Sequence, residues 1–187
     1  MKKISKIYNK YRHHFLNANI VIGLLKILFS VVTSSLSFLI SSIYSLSIGI
    51  TKKNIFQNIK YKYIIAGIML IISSILYINY SIYVIHDHKL YNYNIYTALL
   101  IAATTFTEIV ISIVGIIKSK NNDCSDQVSK LTNLATALIS LTLTQTAILS
   151  FTRVGEDMSY YNGLSGITFG LISMFIGIYI IIKYKSK

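Results

Sequence analysis

The 187-residue chain has no proline, no tryptophan, one cysteine and only six acidic residues. Without proline, no helix is kinked or stopped by a missing backbone amide. Without tryptophan, the 15 tyrosines must supply any aromatic belt at a membrane surface. Cys124 on its own excludes an intramolecular disulfide. Against the six acids stand 18 Lys and Arg residues, a formal net charge of +12. Such a balance can mark a nucleic-acid binder, but here it falls on the flanks of apolar segments, and no soluble module remains to bind nucleic acid.

What is abundant is apolar sequence, 53% of the chain. Tyr63–Ile85, Tyr96–Ile117, Leu131–Thr152 and Gly163–Ile182 are each long enough, at about 1.5 Å per residue, to cross a hydrocarbon core of about 30 Å. A fifth stretch, Asn19–Ile50, would be about 48 Å long as one straight helix, well beyond a bilayer. Two shorter helices turning near Thr33-Ser34-Ser35 fit it better.

Charge supports the split. Lys2, Lys3, Lys6, Lys10 and Arg12 precede the stretch, and Lys52, Lys53, Lys60 and Lys62 follow it. Lys118, Lys120 and Lys130, then Lys183, Lys185 and Lys187, flank the later segments; Lys89 and Arg153 stand alone in the alternate loops. Cytoplasmic flanks collect Lys and Arg. With a hairpin in Asn19–Ile50, fifteen of the 18 basic residues share one side, two lie on the other, and Lys26 is left inside the membrane.

The expected fold is therefore all-α: a polytopic six-transmembrane-helix bundle with both termini cytoplasmic. Residues 1–17 form a basic juxtamembrane lead, 18–184 the transmembrane domain and 185–187 a cytoplasmic tail. Helices are expected at about 17–33, 36–51, 63–85, 96–117, 130–152 and 162–183. The apolar run after the basic lead is too long for a signal h-region and is read as an uncleaved first span. Ile4, Ile7, Tyr11 and Phe15 recur at helical spacing, so the lead can lie along the inner surface beside anionic headgroups. Tyr61, Tyr63, Tyr91, Tyr93, Tyr96, Tyr160 and Tyr161 fall at helix ends, where an aromatic belt belongs. The wealth of Ile, Lys, Asn and Tyr suits an AT-rich bacterial genome and hence a bacterial inner membrane.

Ionisable groups inside a span cost about 2.5–3.5 kcal/mol each and normally face the protein interior with a partner. Lys26 lies nine residues from the start of its helix and Glu108 nine from the cytoplasmic end of its own, each about 14 Å deep. Equal depth and opposite sign predict a buried Lys26–Glu108 pair. The alternative leaves Lys26 snorkelling to the headgroups and Glu108 protonated or bonded to neighbouring threonines. Ser41, Ser45, Tyr44, Thr107 and Gln145 are the candidate polar interior. Ser37, Ser41 and Ser45, and Gly166 and Gly170, recur every four residues, a spacing that lines a hydroxyl path or simply lets helices pack closely.

His86-Asp87-His88, expected on an outer loop, is the only imidazole–carboxylate cluster, and three adjacent residues fall short of the four ligands of a closed zinc site. No nucleophile–base constellation stands out. The expectation is a protein without catalytic residues, metal or cofactor, whose partners are the lipid bilayer and a second copy or another membrane subunit.

The hairpin IVIGLLKILFSVVTSSLSFLISSIYSLSIGI (Ile20–Ile50) resembles the first two helices of cation diffusion facilitator transporters. Lys26, the Thr33–Ser35 turn and the Tyr44-Ser45-Leu46-Ser47 run fall in step with that family's pattern, and YYNGLSGITFGLISMFIGIYIIIK resembles its sixth helix. The resemblance implies six helices with cytoplasmic ends and a cation-efflux scaffold. It departs at the family's metal ligands: Tyr44 and Ile48 stand at the helix-2 histidine and aspartate, and Ala137 and Leu141 at the helix-5 pair. The family's soluble C-terminal domain has no counterpart. Ser74–Tyr77 and Leu143–Ser150 also resemble stretches of small membrane proteins from Gram-positive bacteria. The functional expectation is movement of a small ion or solute without the usual divalent-metal site; the alternatives are a structural or regulatory membrane subunit, or the solute-binding subunit of a vitamin importer.

Overall fold

The computed structural model describes residues 19–32, 35–55, 61–87, 95–118, 123–152 and 157–184. Six helices result: α1 (Asn19–Val32), α2 (Leu36–Ile55), α3 (Lys62–Asp87), α4 (Ile95–Lys118), α5 (Cys124–Thr152) and α6 (Ser159–Tyr184). The basic lead with His13 and His14, the turn residues Thr33 and Ser34, His88, Tyr91, Tyr93, Arg153 and the 185–187 tail lie outside the described residues. Among the described residues, four helices are long and apolar enough to cross a membrane: Lys62–Asp87, Ile95–Val114, Cys124–Leu149 and Ser159–Tyr184.

The long apolar block is two helices. Ser35 N donates to Ser30 O at the end of α1 (3.2 Å), and Ser35 O accepts from Leu39 N as α2 opens (3.2 Å). The rings of Phe29 and Phe38 meet across the turn, tilted at 46° with centroids 6.4 Å apart. Gly23 then lies against Leu46, and Gly49 against Ile20, so the two helices run antiparallel with little between them.

Polarity is distributed inside out relative to a water-soluble bundle. Ser, Thr and Gly fill much of the interior, whereas Leu28, Val32, Leu99, Phe106, Phe175 and Ile182 are among the outward-facing residues. That pattern suits a lipid solvent, in which small residues bring backbones together and hydroxyls bond internally.

The seam between α3 and α6 shows how. Gly163, Gly166, Gly170, Ser173, Gly177, Ile180 and Tyr184 form one buried stripe of α6, facing Tyr63, Ala66, Leu70, Ser74, Tyr77, Ser81 and Val84 of α3. At Gly67 and Gly177 the backbones come so close that a Cβ on Gly177 would meet Gly67 O at 2.9 Å. The four-residue glycine spacing thus serves close packing here.

Two expected boundaries and one expected anchor are corrected. α5 starts at Cys124, not near residue 130, because its polar first turns are amphipathic: Val128 is fully buried, and Ser125 Oγ bonds Tyr63 Oη at 2.9 Å. α3 runs to Asp87, so His86 and Asp87 are exposed residues of its last turn and not of a loop. Tyr63 is no interfacial anchor: it is buried, with its ring 5.6 Å from that of Tyr184. Tyr61, Tyr96, Tyr160 and Tyr161 do stand exposed at helix ends.

Candidate functional site

Lys26 of α1 and Glu108 of α4 meet in the bundle interior. Nζ lies 2.6 Å from Oε2, and each side chain is 1% exposed. The matched depth read from the two helices accounts for the meeting.

Around the pair, α2 and α5 supply hydroxyls. Lys26 Nζ also donates to Ser41 Oγ (2.8 Å) and Ser45 Oγ (3.3 Å). Ser45 in turn donates to Glu108 Oε1 (2.6 Å), and Ser140 of α5 donates to Oε2 (2.6 Å). All three ammonium protons are therefore used, and both carboxylate oxygens accept. A buried charge pair is tolerated only when its remaining bonding capacity is met in this way. The i, i+4 spacing of Ser41 and Ser45 puts both hydroxyls on the α2 face that meets α1. Four helices are pinned at one point.

A second hydroxyl group sits on the α3–α6 side. Tyr44 is buried, with Oη 2.6 Å from Ser173 Oγ, and Ser74 Oγ donates to the same Ser173 oxygen at 3.0 Å. The Tyr44 ring meets that of Tyr77 edge-on at 6.4 Å between centroids. Tyr44 thus belongs to the interior as expected, but bonds toward α6 and not to the charge pair.

Two candidates need correction or relocation. Thr107 faces outward, its hydroxyl donating to Ala103 O at 2.7 Å in an exposed position. The inward threonine is Thr105, two residues and some 200° around the helix, bonded to Thr144 Oγ1 at 2.7 Å. Gln145 is half-buried, and the hydrogen bonds of the pair run instead to Ser41, Ser45 and Ser140. Sequence reasoning missed Ser140 as a partner of Glu108 and missed Ser173 altogether. The available signal for Ser173 was its place in the Gly166, Gly170, Ser173, Gly177 stripe.

At the positions where the efflux-family resemblance would look for metal ligands, Tyr44 and Ile48 are buried, Ala137 is half-buried, and Leu141 faces outward at 47% exposure. The inward residues of α5 at that level are Thr136 and Ser140. Among the described residues, no group of three or more His, Cys, Asp or Glu side chains comes together. In comparisons with protein-family models and with curated proteins, nothing matches the chain.

Proposed function

We propose that this is a six-span membrane protein of a bacterial inner membrane, with both termini cytoplasmic, that moves small monovalent cations. The observation behind this reading is the shell around Lys26 Nζ: one carboxylate and two serine hydroxyls, with a third serine on the carboxylate. An ammonium so held is a tethered monovalent cation in an oxygen site. A free cation that displaces it leaves the shell electrically unchanged. A divalent ion would leave an uncompensated charge in a low-dielectric interior, and calcium or zinc sites call for more carboxylates or for imidazoles.

The lysine stem is long and flexible, so its head can leave the carboxylate and return while Ser41 and Ser45 accept whichever cation is present. On this reading the likeness to cation efflux proteins is one of scaffold, with the lysine-filled shell in place of a divalent-metal centre.

The test is uptake of radioactive rubidium or sodium by liposomes containing the full chain. Uptake above that of empty liposomes is expected, and Ser41→Ala and Ser45→Ala should raise the KM for the cation. Equal uptake by loaded and empty liposomes for both ions would end the proposal. A structural subunit is the second reading, favoured by the complete hydrogen bonding of the pair. It predicts no flux, and an assembly that survives replacement of both charges by apolar residues.

A further inference from the structure

Toward the end of the bundle where α3 finishes and α6 begins, the helices leave a small, partly open cleft, mostly apolar but carrying several polar groups, separate from the charge pair. It is a cavity of about 10 Å³ whose lining includes Asn162, Ser81, Thr142 and Thr146, with Tyr77 and Tyr80 beside them. That is room for about one water-sized particle.

Its chemistry is set by where the hydroxyl protons go. Ser81 Oγ donates to Tyr77 O (2.9 Å), Thr146 Oγ1 to Thr142 O (3.0 Å), and Thr142 Oγ1, more weakly, to Leu138 O (3.4 Å). Each hydroxyl has a single proton, and each has committed it to its own helix. What these three hydroxyls leave for the cavity is lone pairs.

Asn162 adds to this. It is only 4% exposed, and neither Oδ1 nor Nδ2 has a hydrogen-bond partner. Burying an amide without partners costs several kcal/mol in an apolar medium, so the group calls for an occupant. A water molecule has two protons to give, whereas the walls offer acceptor oxygens on Ser81, Thr142, Thr146 and Asn162. One positive ion can meet these four oxygens together, though it offers nothing to the two N–H groups of Asn162.

We propose that this cavity binds one dehydrated monovalent metal cation through Asn162 Oδ1 and the hydroxyl oxygens of Ser81, Thr142 and Thr146. The absence of a carboxylate in the lining makes this a weak-field site, suited to a singly charged ion. The site stands independently of transport through the Lys26–Glu108 shell. Binding without flux would uphold it and defeat the proposed function; flux without this binding would do the reverse.

The experiment is thermal unfolding of the full chain in detergent, titrated with NaCl or KCl and held at constant ionic strength with N-methyl-D-glucamine chloride. Saturable stabilisation by sodium or potassium is expected. Asn162→Leu or Thr146→Val should weaken the apparent Kd about tenfold, as loss of one charge-assisted contact implies. Asn162→Asp should tighten it, because it adds a carboxylate to the same wall. Two results would overturn the proposal: unfolding of the native chain indifferent to which cation is present, as a cavity holding only water predicts, or a response that both Asn162→Leu and Thr146→Val leave unchanged.

Discussion

Replacing Glu108 by Leu should leave the Lys26 ammonium buried with only Ser41 and Ser45 to accept from it. Replacing Lys26 by Met should leave the Glu108 carboxylate with only Ser45 and Ser140 donating to it. Breaking a buried pair from one side costs about 3–5 kcal/mol, because a desolvated charge loses its counter-charge. Removing both charges takes the penalty away with the attraction. Ser45 and Ser140 can then turn their protons to carbonyls one turn back along their own helices. The double variant should therefore be more stable than either single one and close to the native chain, an outcome well precedented for buried pairs replaced by apolar residues. The assay is reversible unfolding in mixed micelles at rising fractions of a denaturing detergent, applied to all four proteins. A double variant destabilised by as much as the two single losses added would show no coupling between the residues, and the energetic account of the pair would be wrong.

Gly177→Ala should cost about 1–3 kcal/mol by overpacking, since the new methyl would meet Gly67 O at 2.9 Å, and a backbone carbonyl cannot step aside. Gly23→Ala should cost less, because its nearest neighbours are side-chain atoms of Leu46 at 2.8 Å; equal drops in Tm for the two variants would contradict this. Lys52, beyond the apolar part of α2 that ends at Ile50, has its ammonium pushed down to about 7 by burial, partly offset by the negative charge of Glu108. The unfolded chain titrates near 10.4, so between about pH 7 and about 10.4 it binds the extra proton, and stability should rise with pH across that window. Lys52→Met should flatten the rise and stabilise the protein most at and below about pH 7, which unfolding midpoints across the window would check.

The hairpin and the charge pair were legible because both rest on quantities a sequence states directly: segment length against bilayer thickness, and distance of a charge from a helix end. Facing is harder. Thr104, Thr105 and Thr107 all lie within one turn of Glu108, and each residue turns the helix by about 100°, so choosing among them requires the orientation of α4. The early start of α5 was hidden because Ser125, Asp126, Gln127 and Lys130 are polar, while Val128, Thr132 and Ala135 continue the buried face. Hydropathy marks what lipid touches, and this end of the helix touches α2 and α3. Tyr63 misled in the opposite sense: tyrosine at a helix end suits a headgroup layer, but Ser125 and Tyr184 give it an interior partner and an interior surface. The cavity beside Asn162 was beyond reach, being assembled from three helices that share no sequence motif.

Lys26 and Glu108 are 82 residues apart in the chain, and that separation is also an interval of time. At roughly 5–20 residues per second, a ribosome that has finished the lysine needs about 4–16 s to reach the glutamate. Throughout that wait the lysine's native counter-charge, Glu108, does not yet exist. Ser41 and Ser45, translated within the first seconds and carried on the adjoining helix, are the interim acceptors. A hairpin whose lysine is still without its carboxylate is costlier to place in an apolar medium than one that has met α4.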